Sequence, residues 1–477
     1  MLRKLPGDEV QNVVSTRPDT SIHYRPVVVR TPGIVFLAVH LSRMVAALVK
    51  TVWRHPVACT LLAAAGALVY FFGWRVWVSV AGLEIAALAS WFALSRSSFE
   101  ACVALPALTW CRWMWVYRRK WAGIMAVAGL GRSLGGRSYL PDLVKVTCDR
   151  YADRVTVRML SGQDPDEWAV STAGLAHGFG ADRCRVKVLK PGRLLLTFPR
   201  KDALAKVLPP QPIPDRPHVH AVFAGLTEDG RLFRMRVHGT HLLIAGATGS
   251  GKGSYLWAAV RGLLPATQAG LAELWGLDPK RMELAYGRAL FQRYAATAEE
   301  CAVLLEKAVE VMHERASRYG GVRRDHDPTT QDPFILVIVD EVAFLTAYQP
   351  DKGLKVRVMA ALSTLTTQGR AVGVAVMAAL QDPRKDVMSI RNLFPDRIAL
   401  RLDEAEQVDM VLGDGARDRG ALCDQIPFDP DDPSVGAGVA YVRLENSPEP
   451  IRVRAGYTSN DEIKRMVMQY TAAGEVA

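Results

Sequence analysis

His241-Leu-Leu-Ile-Ala-Gly-Ala-Thr-Gly-Ser-Gly-Lys-Gly-Ser254 is the stretch that decides how this chain folds. Leu242-Leu-Ile-Ala245 is a short apolar run of the kind that forms a buried strand. Gly246-x-x-x-x-Gly251-Lys252 follows, and from Ser254 the residues Tyr255-Leu-Trp-Ala-Ala-Val260 tolerate a helix. Strand, glycine-rich loop, lysine and helix in this order form a phosphate-binding P-loop in its required context. The glycines let successive backbone N–H groups turn inward around phosphates, and the helix N-terminus adds its positive dipole end. Gly246, Ala247, Thr248, Gly249, Ser250, Gly251, Lys252, Gly253 and Ser254 are therefore the expected ATP-binding residues, with Lys252 reaching the β- and γ-phosphates. The residue after the lysine is ordinarily Ser or Thr, whose hydroxyl binds Mg²⁺; here it is Gly253, and Ser254 is the expected substitute.

Downstream, Ala272-Glu-Leu-Trp-Gly-Leu277 reads as a strand that delivers Asp278-Pro-Lys-Arg-Met-Glu-Leu284. Residues 298–319 carry apolar side chains at helical spacing (Leu304, Leu305, Ala308, Val311, Met312). Phe334-Ile-Leu-Val-Ile-Val339 is apolar throughout, as a parallel strand buried on both faces must be, and it ends at Asp340-Glu341. A buried strand ending in two carboxylates about ninety residues after a P-loop is the Walker B arrangement. Asp340 is expected to hold Mg²⁺ and Glu341 to orient and deprotonate the attacking water.

Towards the N-terminus the composition changes. Residues 1–150 hold 18 Lys and Arg against 7 Asp and Glu, while the remaining 41 of each sign cancel, so the net charge of +11 sits entirely in the first third. That pattern argues for membrane orientation and against a globally basic nucleic-acid binder. Pro56–Trp74 contains no charge and Val76–Leu94 only Glu84, each long enough to cross a hydrocarbon core of roughly 30 Å. Little stands between the two runs at Gly73-Trp74-Arg75, only Arg75 lying outside both, which predicts a transmembrane helical hairpin in the cell membrane. Basic residues flank it on both sides, so both ends and the ATP-binding motor face the cytoplasm. Residues 34–50, apolar but carrying His40, Arg43 and Lys50, fit a helix lying on the membrane surface. Seven scattered cysteines, with no Cys-x-x-Cys pair, indicate neither a disulfide framework nor a zinc site.

The expected fold class is α/β. Its parts are a polar cytosolic tail over 1–33, a membrane region over 34–135 with spans at about 56–74 and 76–94, a small α/β module over 138–207, a P-loop motor over 208–460 and a C-terminal tail over 461–477. In the module, 144–148, 154–158, 184–188 and 193–198 have strand character and 168–179 reads as one helix; 129–136 reads as a linker.

Further motifs follow in a telling order: Gln368-Gly-Arg-Ala-Val-Gly373, Ala378-Ala-Leu-Gln-Asp-Pro383, Phe394-Pro-Asp-Arg-Ile-Ala399 and Val411-Leu-Gly-Asp-Gly-Ala416. With the P-loop, Asp278-Pro-Lys-x-x-Glu-Leu284 and Val339-Asp-Glu341, this set resembles the FtsK/SpoIIIE double-stranded DNA translocases over roughly residues 140–455. The resemblance implies a RecA-like motor that assembles as a homo-hexameric ring and pumps duplex DNA through its centre. It further implies that Gln381 senses the γ-phosphate and that Arg370 acts across a subunit interface, with Asp278 and Lys280 as structural support. Only residues 461–477 follow the motor, which leaves no room for the family's sequence-reading winged-helix module, so loading would need another element or an envelope or transfer partner protein. The short hairpin and the absence of a long linker bring the chain nearer to the compact TraB/TraSA-type transfer proteins of actinomycete plasmids and integrative elements.

The expectation is thus a membrane-anchored ATPase, using ATP and Mg²⁺, that translocates double-stranded DNA between cells. DNA contact would run mainly through phosphates, with Arg384, Lys385 and Arg391 as candidate contacts. The alternatives are a chromosome-segregation translocase, a secretion ATPase of related fold, and a non-hydrolysing, membrane-anchored nucleotide-binding scaffold.

Overall fold

The computed structural model describes residues 73–134, 137–383 and 391–471, with isolated residues between 42 and 71. The first expected span, the surface helix at 34–50 and the tail at 1–33 lie almost wholly outside the described residues. The second span is a helix, α1 (Trp74–Leu94), of 21 residues with mean hydropathy 1.6, long and apolar enough to cross a membrane. Leu83 and Ile85 on it are exposed to about 70%.

Helical turns, alternating between α and π geometry, continue over residues 96–127. The stretch expected as a linker instead carries a two-stranded antiparallel ribbon, β1 (Arg132–Leu134) and β2 (Arg137–Tyr139). The small module is a four-stranded sheet of β3 (Asp142–Cys148), β4 (Ala152–Arg158), β5 (Arg185–Lys190) and β6 (Arg193–Pro199) in the order β3-β4-β6-β5. β6 alternates between half-buried and buried positions, the period-two pattern of a sheet with one covered face. The helix expected over 168–179 is two helices, α2 (Pro165–Val170) and α3 (Thr172–Gly178). Ser171 (φ −83°, ψ 1°) breaks them, its hydroxyl bonded back to the Glu167 carbonyl at 2.9 Å, a local bond that competes with the helical ladder.

From Leu196 onward the chain forms one compact unit. Its strands are β7 (Ala221–Thr227), β8 (Leu232–Arg236), β9 (Leu242–Ala245), β10 (Ala272–Leu277), β11 (Arg293–Ala295), β12 (Phe334–Val339), β13 (Val374–Leu380), β14 (Asp396–Ala399), β15 (Val439–Leu444) and β16 (Ser447–Ala455). They make one ten-stranded sheet in the order β11-β10-β12-β13-β9-β14-β15-β16-β7-β8. The first six strands are mutually parallel; from β14 onward the pairings are antiparallel.

Because side chains alternate across a strand, an all-apolar strand must feed two cores. Val374, Val376, Ala378 and Leu380 of β13 join the core beneath α5 (Ala298–Tyr319) and α6 (Lys352–Gln368). Ala375, Met377 and Ala379 join the opposite core, beneath α4 (Lys252–Gln268). β12 divides in the same way. α5 begins at a capping box, in which Thr297 accepts from the Glu300 N–H and Glu300 accepts from the Thr297 N–H.

The expected C-terminal tail is corrected here. Residues 460–470 are a helix, α7 (Asn460–Tyr470), whose Ile463 and Met466 are buried in the same core as α4. Only five of its eleven residues are apolar, but Ile463, Met466, Val467 and Tyr470 fall on one face at three- and four-residue spacing.

Candidate functional site

Ligands bind open α/β sheets outside the carboxyl ends of the parallel strands. Here the ends of β9, β10, β12 and β13 lie side by side and release Gly246, Asp278, Asp340 and Gln381. A cleft of about 800 Å³ lies against them, lined among others by Thr248, Gly249, Gly251, Lys252, Gly253, Ser254, Lys280, Glu283, Asp340 and Gln381.

The loop after β9 is pinned at both sides. Its Ala247 N–H donates to the Arg401 carbonyl at 2.8 Å, and its Ser250 carbonyl accepts from the Gly438 N–H at 2.8 Å. Two of its glycines are obligatory. Gly251 has φ +95°, and a Cβ there would come within 2.4 Å of the Gly438 nitrogen. A Cβ on Gly246 would meet Ser250 Oγ at 2.7 Å and Leu400 Cβ at 2.8 Å. Arg401 steadies the loop from outside, its guanidinium 2.8 Å from the Thr248 carbonyl and stacked over Phe428. Sequence reasoning passed over Arg401, since nothing local marks an arginine more than 150 residues away as a loop support.

Lys252 opens α4 and folds back onto its own loop, donating to the Gly246 carbonyl at 2.7 Å and the Ala247 carbonyl at 3.2 Å. Burial lowers its ammonium pKa to about 8, against the partial opposing pull of Glu341 and Asp340. A phosphate favours the charged form, so binding must recover a proton once pH exceeds that value. Affinity for ATP measured in EDTA should hold up to about pH 8 and then fall by up to roughly tenfold per pH unit. Calorimetry between pH 7 and 9.5 checks this; a flat profile would contradict it.

Asp278 is fully buried and organises the turn after β10. It accepts from the N–H groups of Met282 (3.3 Å), Leu284 (2.9 Å) and Ala285 (3.0 Å) and from the Tyr294 hydroxyl (3.3 Å). The turn carries Lys280 to Glu341, Nζ to Oε2 at 3.3 Å, and brings Glu283 against α4. Glu341 is 2% exposed, and its other oxygen accepts from the Gln381 N–H at 3.3 Å. The Gln381 side chain meets the Thr248 hydroxyl at 3.4 Å. Gln381 therefore bridges the strand-end carboxylate and the loop.

The donor set suits a hard divalent cation. Burial, and then the neighbouring Asp278, Glu283 and Glu341, push the Asp340 pKa up to about 7, a repulsion that a cation would relieve. Mg²⁺ takes one or two carboxylates and otherwise water and phosphate oxygens, and Asp340 is a carboxylate on the cleft that stands beside Lys252. Ser254 lines the cleft, but its side chain leaves the helix about 100° around from the direction of residue 253.

Arg370 is not brought to this cleft. It sits before β13, at the end of the sheet remote from Gln381, roughly 23 Å away along seven extended residues. There it pairs with Glu445 at 2.9 and 3.1 Å and donates to the Gly239 carbonyl at 3.2 Å. Of the candidate DNA contacts, Arg384 and Lys385 lie outside the described residues, and Arg391 is engaged by the Met410 carbonyl.

Comparison with known families bears directly on this arrangement. A profile described as the FtsK/SpoIIIE family matches residues 214–417, which hold the loop, both strand-end carboxylates, Gln381 and Arg401. Those residues are an FtsK/SpoIIIE domain. Ahead of it, residues 103–199 match a profile described as the actinomycete conjugal transfer protein N-terminal domain. The DNA translocase FtsK of Tropheryma whipplei is 25% identical over 327 residues, 62% of this chain and 41% of that protein. The transfer protein TraSA of Streptomyces ambofaciens is 27% identical over 335 residues, 64% of this chain and 78% of that protein. The chain thus spans less than half the length of the FtsK protein it matches. The structure of the pCW3 conjugation coupling protein TcpA, a monomer form with ATPgS, is similar at 19% identity and TM-score 0.47, covering 74% of this chain and 98% of that one.

Proposed function

We propose that this protein is a membrane-anchored, ATP-driven translocase of double-stranded DNA that serves conjugative transfer. The observation that carries the reading is the convergence of Lys252, Asp340 and Gln381 on one cleft, with Glu341 buried beside it and bonded to the Gln381 N–H, in an FtsK/SpoIIIE domain that follows an actinomycete conjugal transfer domain. The backbone of residues 246–251 cradles the phosphates, and Lys252 leaves its carbonyl partners to pair with the β- and γ-phosphates. Asp340 would hold Mg²⁺, which supplies charge neutralisation on the transferring phosphoryl when bound. Glu341, withdrawn from Lys280, takes the proton of the attacking water. Gln381 couples the state of the γ-phosphate to Glu341 through its main-chain bond and to the loop through Thr248.

Ring assembly as a homo-hexamer is part of the proposal, with Arg370 reaching the cleft of a neighbouring subunit. Its pair with Glu445 is about 40% exposed on both sides, so breaking it costs at most about 1 kcal/mol. α1 supports a membrane anchor, its 21 residues rising about 31 Å against a core of roughly 30 Å. The hairpin partner of α1 and the multi-pass topology remain part of the same proposal.

The test is ATP hydrolysis by the full chain with and without linear duplex DNA. Turnover should rise several-fold with duplex of any sequence, and the stimulation should fade between 50 and 200 mM salt, because phosphate contacts release counterions. Turnover indifferent to duplex would overturn the DNA reading, and nucleotide binding without turnover would leave a scaffold.

A further inference from the structure

Gly253 stands where a P-loop ordinarily carries a hydroxyl residue, and the tertiary structure supplies a reason. A Cβ on Gly253 would lie 2.1 Å from Glu283 Oε1, 2.6 Å from its Cδ and 2.9 Å from Oε2. The carboxylate of Glu283 thus fills the space that a Ser or Thr side chain would take. Substitution by Ser or Thr cannot be accommodated while Glu283 stays where it is.

Glu283 is also held there. Its Oε1 accepts a 2.8 Å hydrogen bond from the indole N–H of Trp257, which lies one helical turn after Gly253 on α4 and is 1% exposed. The turn that carries Glu283 is fixed from behind by the three N–H groups bound to Asp278. Glu283 lines the same cleft as Lys252 and Asp340. A loop after β10 therefore delivers a carboxylate oxygen to the first turn of α4, at the position from which a hydroxyl oxygen would otherwise project.

We propose that Glu283 replaces the missing P-loop hydroxyl as a metal ligand, so that the magnesium of a bound nucleotide is held from the protein side by Glu283 and Asp340, with Ser254 uninvolved. The inference rests on the nucleotide reading above. It makes Gly253 and Glu283 a matched pair, the glycine being required to admit the carboxylate.

A carboxylate differs from a hydroxyl by a full charge, which gives the test two readouts of opposite sign. With the cation present, the charge attracts it; without the cation, the charge repels the nucleotide phosphates. Glu283→Gln keeps the acceptor for Trp257 and nearly the same volume, so it removes the charge and little else. Binding of AMPPNP to the full chain in EDTA is measured first, followed by titration of Mn²⁺ into the preformed complex with free Mn²⁺ read by electron paramagnetic resonance. Glu283→Gln should weaken Mn²⁺ binding by roughly tenfold while tightening metal-free AMPPNP by about two- to fivefold. Ser254→Ala should leave both within twofold. Gly253→Ser combined with Glu283→Ala restores a hydroxyl and the space for it, and should bring Mn²⁺ affinity back to within about threefold of the parent. Unchanged Mn²⁺ affinity in Glu283→Gln, or a loss in Ser254→Ala instead, would overturn the assignment while leaving nucleotide binding intact. A parent chain that binds no AMPPNP at all would overturn the nucleotide reading itself, and the assignment with it.

Discussion

Replacing Glu341 with Gln is expected to lower ATP hydrolysis at least ~100-fold while nucleotide binding stays within a few-fold of the parent. The carboxylate is buried at the end of β12 and touched on each oxygen by a different partner, Lys280 on one and the Gln381 N–H on the other. A glutamine can keep one contact through its oxygen, so the local fold survives. What it cannot do is accept a proton from water, and a positioned general base contributes about 10²–10⁴ in rate. Glu341 does not line the cleft, whereas Lys252 and Asp340 do, which is why binding should be spared. Single-turnover hydrolysis beside nucleotide titration checks this. A variant that hydrolyses within tenfold of the parent would remove Glu341 from the role of base and turn attention to Asp340.

The second large effect concerns stability. Asp332, just ahead of β12, gathers the C-terminal end of α5: Arg318 at 2.6 and 2.9 Å, Arg323 at 3.3 Å, the Tyr319 hydroxyl at 3.1 Å and Arg315 Nε at 3.7 Å. Arg318 and Arg323 are partly exposed and would turn to water if the carboxylate were lost. Arg315 would not, being 3% exposed and committed to the carbonyls of Val372 and Pro333. Asp332→Ala therefore leaves a buried charge without its counter-ion, a change that costs about 3 kcal/mol. Amide exchange of β12 and β13 should accelerate roughly 100-fold, since 1.36 kcal/mol is a factor of ten. Acceleration below threefold would show that the backbone carbonyls alone satisfy Arg315. The same carboxylate gives an acid dependence. The hydrogen bond from Arg318, with that from Tyr319, holds its pKa down to about 2, below the ordinary 3.8. Its stabilisation is thus full above pH 4 and fades as pH falls through 2.

Several features of this molecule were legible in the residues alone, and they share a physical basis. The strand at 334–339, the helix at 298–319 and the loop at 246–252 are encoded by their own composition, because periodicity and glycine placement act over one element. The adjacency of Lys252, Asp340 and Gln381 follows from the motif order once the strands are taken as parallel. The break at Ser171 was not legible, since two helices joined by one residue keep nearly the apolar pattern of a single helix. Nor was the helix at 460–470, whose short apolar stripe acquires meaning only against α4.

The sequence by itself determined an α/β nucleotide-binding fold and the chemical types gathered at its strand ends. Tertiary structure decided the pairings between distant residues. It set Glu283 into the space left by Gly253, Arg401 behind Thr248, and Arg370 against Glu445. The division has one cause. Local propensity is written in neighbours three or four positions apart, whereas a contact between residues thirty or more positions apart depends on how whole strands and helices pack, and no short window of sequence contains both partners.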